Sequence, residues 1–105
     1  MRATETERAA WQRRAAHTLD TILREHPHLP VIAWTIAPAG CALTARVSTC
    51  SDPGRSEQIF TAWRTALDLP ERRTRYPDGS FIRLWAHGHL DGTRINLSAT
   101  TCVDF

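Results

Sequence analysis

Two periodicities divide this chain. Between residues 4 and 26 the apolar side chains Trp11, Ala15, Leu19, Ile22 and Leu23, with His26, recur at three- and four-residue spacing. That spacing predicts an amphipathic helix with a single apolar stripe. Thr4 is placed to cap it, with Glu5 and Glu7 in the first turn where the helix dipole favours negative charge. Arg8, Arg13, Arg14 and Arg24 fall largely off the stripe, and Pro27 and Pro30 stop the helix.

From residue 31 the period changes to two. Ile32, Trp34 and Ile36 alternate with Val31, Ala33, Thr35 and Ala37. After a Pro38-Ala39-Gly40 turn, Leu43, Ala45 and Val47 alternate with Ala42, Thr44, Arg46 and Ser48. Such alternation predicts a hairpin with one apolar face. Ser51 or Asp52 then caps a second helix, whose stripe is Ile59, Phe60, Trp63 and Leu67 and whose end is Pro70. "ERRTRYP" predicts a charged edge strand. Asp78-Gly79 is a turn, and Phe81 to His87 form a strand with Ile82, Leu84 and Ala86 on one side. Asp91-Gly92 predicts a two-residue hairpin turn into a last strand, Thr93 to Val103, with Ile95, Leu97 and Ala99 inward.

The predicted order is therefore α-β-β-α-β-β-β. Elements with one apolar side each assemble as a two-layer α+β sandwich, a mainly antiparallel sheet carrying both helices on one face. Residues 1–105 suit one domain. The 42% apolar and 23% charged fractions fit a folded globular chain. Four tryptophans, Trp11, Trp34, Trp63 and Trp85, lie in different segments and are expected to share one core.

Charge adds little globally. All 13 basic side chains are arginine, a substitution pattern that GC-rich coding produces without functional cause, and the net charge is only +2. Cys41, Cys50 and Cys102 contain no C-x-x-C pair. A strand between Cys41 and Cys50 holds them roughly 25–30 Å apart at about 3.3 Å per residue, too far for a disulfide. The start "MRATETERAAWQRR" lacks the apolar run of a secretory signal, and no apolar stretch is long enough to span a bilayer. A cytoplasmic location without membrane attachment is expected.

Candidate chemistry concentrates on the outward side of the sheet, where Arg83, Trp85, His87 and Arg94 accompany Thr35, Thr44, Arg46, Ser48, Asn96, Ser98 and Thr100. A tryptophan on an exposed sheet points to contact with a partner. The leading expectation is a non-enzymatic protein-interaction module that pairs with a protein or with itself, as a homodimer, through Arg83, Trp85, His87 and Arg94. The alternative is a small nucleic-acid-binding regulator that adds phosphate contacts from Arg72, Arg73 and Arg75. A third reading, a metal-binding protein or small hydrolase, rests on the pairs His26/His28 and His87/His89. These supply two ligands each without a third at defined spacing. No G-x-S-x-G, P-loop or H-E-x-x-H motif occurs. No catalytic residue, cofactor or metal site is therefore assigned.

"HPHLPVIAWTIAPAGCALTARV", followed by an amphipathic helix and "LWAHGHLDGTRINLSA", resembles small α+β proteins of streptomycetes and related actinobacteria, a group without an assigned activity. The likeness runs from about Thr18 onward and rests on His26-Pro27, Leu29-Pro30, Trp34 and the Asp91-Gly92 turn. It implies an actinobacterial, intracellular source and transfers no functional residue.

Overall fold

A computed structural model describes residues 4–37, 42–47, 53–75 and 81–102, with backbone alone at 53, 72–75, 81, 101 and 102. The first helix, α1 (Glu5–Glu25), begins at a capping box: the Thr4 hydroxyl accepts from the Glu7 amide at 3.1 Å, and the Glu7 carboxylate accepts from the Thr4 amide at 3.3 Å. Two otherwise orphaned donors are thereby satisfied, and this arrangement stabilises a helix by about 1 kcal/mol. The helix ends where His26 donates its amide to Ile22 and Pro27 blocks continuation. The buried positions are Ala15, Thr18 and Ile22. This differs from the predicted stripe: Leu23 is 47% exposed, and Thr18 takes the inward place. The Thr18 hydroxyl is tolerated there because it hydrogen-bonds the buried Thr93 hydroxyl at 3.3 Å, which ties α1 to the sheet.

Five strands follow: β1 (Ala33–Ile36), β2 (Ala42–Val47), β3 (Glu71–Arg75), β4 (Phe81–Leu90) and β5 (Thr93–Cys102), with α2 (Pro53–Ala66) between β2 and β3. Their order across the sheet is β1-β2-β5-β4-β3. Three of the pairings are antiparallel and β2 with β5 is parallel, so the sheet is mixed although mainly antiparallel. The parallel pair follows from connectivity. After β2 the chain crosses the sheet through α2, reaches the far edge as β3, and folds back by way of β4 until β5 lies beside β2. A crossover of that kind needs a helix on one face, and α2 packs over β2, β5 and β4.

Register then aligns the apolar positions in rows. One row is Ile36, Leu43, Ile95 and Gly88; the next is Trp34, Ala45, Leu97 and Ala86; the third is Val47, Ala99 and Leu84. Ile59, Phe60 and Trp63 of α2 are buried with these rows, as are Ala15 and Ile22 of α1. Both helices therefore serve the same face, as predicted. Asp91 (φ 50°) and Gly92 (φ 79°) both occupy the left-handed region, the requirement of the two-residue turn expected there. The expected Pro38–Gly40 turn, the Ser51/Asp52 cap and the Asp78-Gly79 turn lie outside the described residues.

Helix α2 ends at Ala66, before Pro70, and a local motif explains why. Leu69 donates its amide to Arg64 and Asp68 to Thr65, at 3.0 and 3.2 Å, while Asp68 adopts φ 53°. This is a Schellman ending with Asp in the left-handed position, and it turns Leu69 back into the core, where it is buried. The tryptophans do not share one core. Trp63 is buried, Trp34 makes a T-shaped contact with it with ring centres 5.5 Å apart, and Trp85 lies on the opposite side of the sheet. Trp63 also donates its indole N–H to the Pro30 carbonyl at 2.7 Å. Replacing Trp63 with Phe keeps most of the ring and leaves that carbonyl unpaired. The expected outcome in urea unfolding is a loss of about 1–2 kcal/mol, with the slope against denaturant unchanged.

Candidate binding face

The side of the sheet away from the helices is built from the alternate residues of the same strands. Register arranges them in four rows. Thr100 pairs with Arg83; Ala33, Arg46, Ser98 and Trp85 form the second row; Thr35, Thr44, Asn96 and His87 form the third; Ala42, Arg94 and His89 form the fourth. Arg46, Arg83, Arg94 and His89 are exposed, while Trp85, His87, Asn96, Ser98 and Thr100 are half-buried among their neighbours. No carboxylate occurs on this face among the described residues. The Trp85 and His87 rings, two positions apart on β4, lie 5.7 Å centre to centre with their planes tilted by 36°.

All four residues singled out from the sequence, Arg83, Trp85, His87 and Arg94, are on this face. The structure adds Arg46, which joins Trp85 across Ser98 in one row. The alternation of "ALTARV" already directs Arg46 outward. Its neighbours across the sheet follow only from the pairing of β2 with β5. Arg72, Arg73 and Arg75, the alternative phosphate contacts, are on β3, described by backbone alone. Arg72 pairs with the open-face residue Trp85, whereas Arg73 and Arg75 pair with the core-face residues Leu84 and Ile82.

The histidines separate into two situations. His26 is half-buried with its ring 6.3 Å from that of Trp63, so it serves packing at the end of α1. His87 and His89 do share a face, because β4 continues through Gly88 to Leu90. Their partners in the sheet are Asn96 and Arg94, and a guanidinium beside His89 opposes a bound cation. Among the described residues no group of three or more His, Cys, Asp or Glu is placed to hold a metal ion.

Gly88 itself has a packing role. A Cβ at this position would stand 2.8 Å from Leu69 Cδ2 on the core side, so the glycine makes room for the residue that the Schellman turn delivers. Elsewhere, a shallow depression of about 460 Å³ lies along α2, lined by Gly54, Glu57, Gln58, Thr61 and Ala62. Glu57 is the one titratable side chain in that lining. Among the described residues no helix is long and apolar enough to cross a membrane. Comparison with protein-family models, with curated proteins and with solved structures returned no match.

The geometry around Gly88 gives a direct expectation. Gly88→Ala should lower the unfolding free energy by about 1 kcal/mol, since Leu69 must move within a packed core. His87→Ala and His89→Ala should each change it by less than about 0.5 kcal/mol. Urea unfolding of the three variants checks both.

Proposed function

We propose that this chain is a non-enzymatic binding module that docks a polyanionic partner, met in the cytoplasm, on its open sheet face. The observation that carries the reading is the distribution of charge. Arg46, Arg83 and Arg94 stand exposed around the Trp85–His87 rings, and no described residue of the face brings a carboxylate to neutralise them. Net charge is small, so the guanidinium groups act by local concentration rather than through a field around the whole molecule.

The same distribution favours a partner over a second copy. Two of these faces stacked on one another would set arginines against arginines without a counter-ion. Like charges brought together and desolvated cost several kcal/mol, so self-association through this face is disfavoured. An anionic partner meets no such penalty. Its negative groups replace the water and counter-ions now around the guanidinium groups, and Trp85 supplies apolar contact area at the centre.

Heparin-agarose tests the reading with a generic polyanion. Arg46→Gln/Arg83→Gln/Arg94→Gln should elute at clearly lower salt than the wild type. Arg8→Gln/Arg13→Gln/Arg24→Gln, which removes the same charge from exposed positions of α1, should elute close to it. Equal losses in the two triple variants, or a wild type that is not retained, would reject a dedicated basic face.

A further inference from the structure

We infer that the polyanion is a single-stranded nucleic acid, with one base stacked on the Trp85–His87 rings and its phosphates on Arg46, Arg83 and Arg94. This rests on the binding role proposed for the open face, and it uses three features that a bare requirement for negative charge does not.

The first feature is the ring pair. Trp85 and His87 sit at adjacent same-face positions of β4 with centres 5.7 Å apart, so their π surfaces are consecutive along the strand. Every nucleobase has a flat face to stack there, a contact that works without sequence-specific hydrogen bonds. The second is the spacing of the cations around those rings. Arg83 is two residues from Trp85 along β4, about 7 Å at 3.3 Å per residue. Arg46 is two strands away in the same row, about 10 Å at 4.8 Å per strand. Arg94 is one strand across and two rows along, about 14 Å by the same spacings. A backbone passing the rings therefore meets a guanidinium on each of three sides. The third is the ground between them. Thr44, Asn96 and Ser98 carry neutral donors and acceptors, suited to sugar hydroxyls and base edges.

Shape selects the single strand over the duplex. Five strands at about 4.8 Å give a sheet roughly 19 Å across, wider than the major groove of about 12 Å, and both helices are on the other side. This face presents a broad sheet rather than a helix to a groove. Unpaired bases present their own faces to the sheet. An acidic peptide would neutralise the arginines but leave the ring pair and the neutral row unused, and an anionic membrane would meet the arginines and Trp85 but leave the neutral row unused.

Fluorescence anisotropy with labelled 12-nucleotide dT and U strands tests this. Binding at low salt should exceed that to the matching duplex, to polyglutamate and to phosphatidylserine-containing vesicles. The logarithm of the affinity should fall with the logarithm of salt at a slope near −2, the value for about three phosphates on a single strand. Trp85→Ala should weaken binding about tenfold and Trp85→Phe by less than about threefold. Circular dichroism of each variant confirms its fold, and His87→Ala, expected to weaken binding severalfold, provides an independent substitution in the ring pair. Tighter binding to polyglutamate, vesicles or duplex, or full affinity in both Trp85→Ala and His87→Ala, would overturn the assignment while heparin retention upheld the broader binding role. Loss of heparin retention by the wild type would overturn both.

Discussion

The burial of Trp63 is the interaction on which the rest of the molecule depends. Its indole is 2% exposed, its N–H is donated to the carbonyl of Pro30, and its ring makes a T-shaped contact with that of Trp34. One side chain thus joins α2, the connection after α1, and the first strand. A buried indole N–H without an acceptor would cost about 1–3 kcal/mol, so the Pro27–Pro30 connection is held where its carbonyl can serve. That connection also fixes where α1 ends and β1 begins. The docking of both helices on one face follows, because the residues that meet at Trp63 come from each part of that layer.

One-sidedness has a second consequence. Once α2 crosses over β2, β5 and β4, every buried apolar row is on its side, and among the described residues neither helix covers the remaining alternate positions. The small residues Ala45, Ala86, Ala99 and Gly88 on the core side contribute to this closeness of approach, most plainly where Leu69 fills the space above Gly88. The open face is what the packing leaves over. Its chemistry is nevertheless far from neutral: arginine, histidine and tryptophan stand where a sheet facing only water would tolerate threonine and serine throughout. The β3 edge is guarded by charged residues in sequence, whereas β1 presents Ala33, Trp34, Thr35 and Ile36 without charge and is shorter.

Much of this was legible in the residues. Thr4 with Glu7 marks a helix start whatever the tertiary context, and Asp91-Gly92 supplies the two left-handed conformations of its turn. Alternation from Ile32 to Val47 and from Phe81 to Thr100 assigns each side chain to a face, which placed Arg83, Trp85, His87 and Arg94 together. What alternation cannot express is which strands are neighbours. The β2–β5 pairing is a long-range event, and it alone brings Arg46 into line with Trp85. Helix facing is also decided at long range: Thr18 is buried where Thr93 offers it a hydroxyl, while Leu23 is exposed against its hydropathy. "HGH" reads as metal chemistry locally, but its glycine answers to Leu69, a residue 19 positions earlier brought near by the end of α2.

The core side and the proposed binding side of this sheet are separate surfaces. Amide-resolved NMR of labelled protein during titration with a short single-stranded oligonucleotide tests that claim most directly. The expected result is a set of shifts at Arg46, Arg83, Trp85, His87, Arg94, Asn96 and Ser98, while the Trp63 indole N–H, hydrogen-bonded to Pro30 on the other side, stays in place. Shifts strongest along the exposed arginines of α1, at Arg8 and Arg13, with the sheet amides unmoved, would contradict it.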